Sequence, residues 1–305
     1  MFRDNNLIKN MKIEEYTTII TPYHKLWSVD FKEIWRYRDL ITLFVKRNLI
    51  VVYKQTVLGP LWYIIQPVLT VFMNMVVFGG IAKMSTDSIP QPLFYLAGNV
   101  CWFYFSDCLN QTSSTFRANA GMFGKVYFPR LVVPISTVLS NLLRFSIQLG
   151  LFVAMYLYFF ANGAPIHFGL LFPSVPVFVN VFVFVFVFIL MIIMLAGLGL
   201  GFGIWISSLT TKYRDLSVLF SFIVSLWMYA TPIVYPLSMV TNPKLRMLFL
   251  VNPMTSIIEG FKYVTLGQGY FSWTALGYSF TFMCVLLLLG VVIFNKVQRS
   301  FMDTV

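Results

Sequence analysis

Two ionisable residues, Asp107 and Arg144, stand inside long apolar runs of this 305-residue chain, where a charged side chain can act chemically. A charge held at hydrocarbon depth is costly, so such a residue marks a solute pathway or a partner that neutralises it. Counting helical rise from the nearer ends of the two runs, each lies about 13 Å deep, so antiparallel neighbours would meet at one level. They can pair. The readings open to them are a structural ion pair between two helices, an arginine snorkelling to the surface, and a substrate contact.

Other chemistry is thin. No GxxxxGK[ST] loop occurs, so the chain does not bind and hydrolyse ATP in the usual manner. His24 and His167 have no carboxylate cluster beside them, and Cys101, Cys108 and Cys284 lie in apolar runs without CxxC spacing. Neither a metal site, nor a disulfide framework, nor histidine catalysis is suggested. One intramembrane Asp is too little for an ion-driven transporter, so energy for transport is expected from a partner. No catalytic, cofactor-binding or metal-binding residue is assigned.

The elements that must position these residues follow from composition. Hydrophobic residues make up 58% of the chain and charged residues 11%, against about 25% charged in a soluble domain. The sequence predicts an all-α polytopic membrane protein with six spans, at about 61–82, 93–116, 135–161, 174–209, 216–235 and 273–295. The fourth is too long to stand upright. Its "VFVNVFVFVFVF" alternates like a strand, but a lone strand in lipid leaves its backbone unpaired, so it reads as helix. Gly197 with Gly201 and Gly199 with Gly203 have GxxxG spacing, which permits close helix approach or a kink.

Residues 1–56 read as a cytoplasmic arm, and 57–305 as the transmembrane domain. The arm shows no cleavable signal peptide, so the N-terminus is expected to be the one written. Within it Phe31, Ile34, Trp35, Ile41, Phe44, Val45 and Val52 recur at helical spacing, which predicts an amphipathic helix at the membrane surface. Residues 237–272 hold two charged segments too short to cross, read as re-entrant half-helices from the outer face, where irregular backbone must be buried or line a cavity.

The net charge of +11 follows the membrane and not a nucleic acid. With six spans and both termini inside, the cytoplasmic side takes ten basic residues in the arm, three at Arg117, Lys125 and Arg130, two at Lys212 and Arg214, and two at Lys296 and Arg299. That is 17 of the 22 Lys and Arg, as the positive-inside rule requires. The word YRDL falls on this face twice, at Tyr37–Leu40 and Tyr213–Leu216.

Aromatic residues are abundant. Trp62, Tyr95, Trp102, Tyr104, Trp227 and Tyr229 are candidates for lining a conduit, because aromatic faces suit the apolar faces of sugar rings. The competing reading is interface belts and lipid-facing bulk.

"RYRDLITLFVKRNLIVVYKQTVLGPLWYIIQPVLTVFMNMVVFG" (36–79), "GKVYFPRLVVP" (124–134), "TKYRDL" (211–216) and "NPMTSIIEGFKYVTLG" (252–267) together resemble, in order, the type-2 ABC transporter permeases that export polysaccharides. The resemblance implies a homodimer in the bacterial cytoplasmic (inner) membrane that docks two ABC ATPase subunits, which carry the ATP and magnesium. The cargo it implies is an O-antigen, capsule or teichoic acid chain on a polyprenyl lipid. Relatives that export drugs or lipids share the architecture, and a membrane-embedded transferase acting on lipid-linked sugars, or an ATP-independent flippase, is a further alternative.

Carried onto this sequence, the coupling helix falls around Gly121 to Arg130, including Lys125, with Tyr127, Phe128 and Pro129 nearest the ATPase. Lys212, Tyr213, Arg214 and Asp215 form a second contact. Arg38, in the other YRDL, either joins that docking face or anchors at the membrane edge. The outer gate falls on Asn252 to Gly267, where Asn252 can cap and Pro253 can open a half-helix ended by Gly267 or Gly269. Glu259, its one acid, either faces the pathway or bonds the helix ends of its neighbour.

Overall fold

The computed structural model describes residues 31–54, 57–123, 125–126, 128–167, 169, 171, 176–211, 213 and 215–301. Among these, every regular element is a helix, as backbone in lipid must satisfy its own hydrogen bonds. His24 lies outside the described residues.

Helices α1 (Phe31–Arg36) and α2 (Arg38–Lys54) lead to Gly59–Leu61, a 3-10 turn that feeds α3 (Trp62–Asn74) and a π-helical turn, Met75–Ile81. Helix α4 (Gln91–Ser113) returns, breaks at Ser114, and gives the short α5 (Thr115–Phe123). Then come α6 (Val132–Ala161), α7 (Val177–Thr210), α8 (Leu216–Trp227), α9 (Pro243–Val251), α10 (Pro253–Leu266) and α11 (Trp273–Phe301). The succession defines an arm end, carrying α2 and α5, and a far end, carrying α9 and α10.

Among the described residues, four segments are long and apolar enough to cross a bilayer: Gly59–Ile81, Val132–Ala161, Phe178–Thr210 and Trp273–Val297. Helix α4 has 23 residues but carries Asn99, Asp107, Asn110 and Gln111, which lowers its hydropathy. Helix α8, with 12 residues, is roughly 18 Å long.

The Val-Phe run folds as the first half of α7. Alternation at period two sorts onto helix faces at every fourth residue: Phe178, Phe182 and Phe186 are exposed, while Phe184 and Phe188 turn inward and Phe188 meets Phe261 at 5.5 Å. The second half is the centre of the bundle. A Cβ on Gly199 or Gly203 would come within 2.6 or 2.5 Å of the Cβ of Cys108 or Thr112 on α4. Gly197 and Gly201 instead lie against Met283 and Leu286 on α11. The two GxxxG pairs therefore let two different helices approach α7 from two sides.

Helix α10 is almost wholly buried against α4, α7 and α11. Asn252 opens it by accepting from the Met254 N–H at 3.1 Å, Pro253 occupies the first turn, and Gly267 closes it in the left-handed region at φ 73°.

Candidate functional site

The two ionisable residues of the apolar runs meet. Arg144 Nη1 lies 2.8 Å from Asp107 Oδ2, and Arg144 Nη2 donates to Gln66 Oε1 at 2.6 Å. The guanidinium also sits over the Tyr63 ring, 5.1 Å from its centroid. One arginine thus joins α3, α4 and α6, and its charge is met by a carboxylate, an amide oxygen and an aromatic face. The side chains are mostly buried but not sealed, 17% exposed for Arg144 and 24% for Asp107.

A second constellation forms at the arm end. Phe44 of α2 is buried and meets Phe128 edge-on at 5.9 Å; Phe128 lies 5.8 Å from Phe123, which meets Phe116 at 6.1 Å. Phe116 stacks on Phe294 of α11 at 4.5 Å. Arg47 covers the Phe44 ring at 4.7 Å and Arg130 covers Phe123 at 5.4 Å, so the aromatic chain is flanked by cations. Half-burial lowers the pKa of Arg130 from its ordinary value, without discharging a guanidinium.

The helix expected over Gly121 to Arg130 ends early. Helix α5 covers Thr115–Phe123, so Gly121 is helical while Lys125, Phe128, Pro129 and Arg130 lie in the following turn. The sequence there explains it: Gly124 and Pro129 bracket residues that would otherwise continue the helix. Tyr127, Lys212 and Arg214 lie outside the described residues. Tyr213 is exposed, and Asp215 caps α8 by accepting from the Leu216 N–H at 3.0 Å. Nearby, Arg117 of α5 donates to Ser217 of α8 at 3.1 Å, so α5 touches the start of α8. In the other YRDL, Arg38 and Asp39 are exposed and 3.9 Å apart.

At the far end Glu259 is 1% exposed and paired with Lys262, also 1% exposed, at 3.3 Å. Tyr270 N–H donates to Glu259 Oε2 at 3.3 Å, while Lys262 Nζ donates to the Pro232 carbonyl at 2.7 Å and lies 3.9 Å from the Phe94 ring centroid. Glu259 therefore bonds a neighbouring loop. The Asn252 amide ties α10 to the turn after α8, donating to Thr231 Oγ1 at 2.9 Å and to the Ala230 carbonyl at 3.2 Å.

The conduit candidates divide. Tyr95, Trp102 and Tyr104 are buried; Trp102 meets Trp227 at 6.2 Å and Tyr104 meets Phe145 at 5.0 Å, as side chains packed within one chain. Trp62 and Tyr229 are exposed.

The sequence model of the ABC-2 type transporter family matches residues 39–266, from the first turn of α2 to the last residue of α10. The chain belongs to this family. Among its relatives, the O-antigen export system permease protein RfbA of Myxococcus xanthus is 27% identical over 233 residues, 76% of this chain and 82% of the relative. The protein of the same name from Klebsiella pneumoniae is 25% identical over 265 residues, 87% of this chain and 94% of the relative. The polysialic acid transport protein KpsM of Escherichia coli is 32% identical over 100 residues, 33% of this chain and 36% of the relative.

The ABC-2 segment thus contains the three-helix clasp, most of the aromatic chain and the far-end ion pair. Two of its polar residues escape a search for charge in apolar runs. Gln66 is uncharged and sits beside Pro67 in a largely apolar helix, and Lys262 sits in a segment that charge counting places outside the membrane.

Proposed function

We propose that this chain is the membrane-spanning subunit of an ABC exporter that moves a lipid-linked polysaccharide across the bacterial cytoplasmic membrane. A separate ATPase supplies the energy, and ATP and magnesium belong to that partner. The observation that carries this reading is the ABC-2 match over 39–266 together with relatives named for O-antigen export and polysialic acid transport. The chain crosses the membrane six times in this reading, α8 completing its crossing with the turns after Trp227. Both termini are cytoplasmic, as the placement of basic residues favours. Two copies form the working permease.

The arm end is then the cytoplasmic face on which the ATPase docks. Closure of the ATPase presses on the turn containing Lys125, Phe128, Pro129 and Arg130, with Gly121 and the Tyr213–Asp215 loop as further contacts. Phe128 passes the displacement to α2 through Phe44 and to α5 and α11 through Phe123, Phe116 and Phe294, because packed aromatic side chains move together or not at all. Helices α9 and α10 form the outer gate, with Asn252, Pro253 and Gly267 fixing where α10 begins and ends. Asp107 and Arg144 hold α4 to α6 while the rest moves.

Depletion of the protein in its own host tests this reading. Surface glycan should fall and undecorated polymer should accumulate inside the cell; normal surface glycan would refute the cargo.

A further inference from the structure

A cavity of about 480 Å³ opens at the far end, where the α3–α4 loop, the turn after α8, α9, α10 and the α10–α11 loop converge. Its wall includes Asp87, Ser238, Arg246, Glu259, Gln268 and Tyr270. The wall is built, not incidental. Ser238 donates to both Asp87 carboxylate oxygens, at 3.0 and 2.9 Å across 151 residues of sequence, and so fixes one carboxylate on the rim. The second carboxylate, Glu259, is held by the Tyr270 N–H and by buried Lys262. Arg246 lies over the Tyr270 ring at 5.5 Å, which brings a guanidinium and an aromatic ring together on the wall. The loop is also held in a costly backbone shape: Asp87 and the adjoining Ser88 adopt φ of 50° and 67°, in the left-handed region, and such conformations concentrate at functional positions.

The mixture of groups selects the ligand class. A free anion would meet Asp87 and Glu259, and a free cation would meet Arg246, with Lys262 behind the wall; like charges oppose each. The Asp87 carboxylate, guanidinium and amide donors, hydroxyls and an aromatic ring together suit a neutral, polyhydroxylated ring, whose hydroxyls both donate and accept while its C–H face is apolar. The volume lies within the range of small-molecule sites, roughly 300–1,000 Å³.

We propose that this cavity is a saccharide-binding subsite on the extracytoplasmic face, which takes a short run of sugar residues as the polymer leaves. The identity of the polymer rests on the export reading above; the site itself rests on the geometry of its wall.

The test is calorimetric titration of the purified full-length protein, in lipid nanodiscs, with lipid-free glycan released by mild acid from the host's surface. Magnesium chloride and sodium phosphate are titrated in parallel. Wild type should bind the glycan saturably, Arg246→Ala and Gln268→Ala should each weaken it, the former by about tenfold, and Ser238→Trp should fill the cavity and abolish binding. Arg246 is exposed and Gln268 half-buried, so their variants should elute and unfold as wild type does; this makes them the measure if Ser238→Trp misfolds. Absence of saturable glycan binding, equal binding by folded variants, or binding of magnesium or phosphate in its place would overturn the proposal. Failure of the exporter reading shows elsewhere, as normal surface glycan after depletion. A wild type that binds nothing while depletion strips the surface sinks the subsite alone.

Discussion

Arg144 reaches Asp107 at 2.8 Å and, through its other terminal nitrogen, Gln66 at 2.6 Å, so a single guanidinium closes a clasp across three helices. Truncating one partner of a pair this far from water leaves the other charge uncompensated, at a cost on the order of 3 kcal/mol. Asp107→Ala or Arg144→Ala should therefore reduce the amount of folded protein in the membrane. Exchanging both, Asp107→Arg with Arg144→Asp, should recover part of it. Gln66→Ala should cost only about 1–2 kcal/mol, since the ion pair survives. Membrane yield and thermal unfolding in nanodiscs measure all four; a double exchange no better than the singles would count against the pair.

Phe128 is the middle ring between α2 and α5. Phe128→Ala removes contacts with both Phe44 and Phe123; it should lower stability by on the order of 3 kcal/mol and leave the ATPase bound and hydrolysing while export falls. Phe128→Leu should retain most export. Parallel assays of ATP hydrolysis and surface glycan distinguish this from simple loss of docking, in which stimulated hydrolysis would fall as well.

Glycines that look alike in sequence should behave differently. Gly199→Val and Gly203→Val place atoms where α4 already stands and should destabilise by roughly 1–3 kcal/mol or more. Gly121 has open space around its Cβ position within α5, so Gly121→Ala should be neutral or stabilise by roughly 0.5–1 kcal/mol. Unfolding midpoints of the three variants test the contrast directly.

Lys262 is buried with Glu259, and Lys262→Met should cost roughly 3–5 kcal/mol by leaving that carboxylate without its cation. The double variant Lys262→Met with Glu259→Gln should be less destabilised than Lys262→Met alone. If the single and double variants unfold alike, the cost comes from the lost Pro232 carbonyl contact and not from charge.

The helical, membrane-embedded character of the chain was legible because apolar runs of this length have few other ways to fold. The Val-Phe run shows the reasoning at its limit: its period is that of a strand, and only the cost of unpaired backbone in lipid assigns it to a helix. The nearness of Asp107 and Arg144 was legible too, since charges are rare in such runs and helical rise fixes their depth. Gln66 was not, because a neutral amide carries no such cost and so leaves no mark. The end of α5 at Phe123 is not legible, because a glycine and a proline nearby compete with an otherwise continuous pattern. Packing hid the most: nothing in the spacing of Tyr95, Trp102 and Tyr104 distinguishes rings buried inside one chain from rings facing a passage.

Reconstitution tests the central claim most directly. The permease and its ATPase are placed in proteoliposomes with the host's lipid-linked glycan on the ATPase side, and an endoglycosidase is enclosed on the other. Glycan should be cleaved only when ATP is supplied, and the Phe128→Ala permease should hydrolyse ATP with little cleavage. Cleavage without ATP, or equal cleavage in vesicles lacking this chain, would contradict the account.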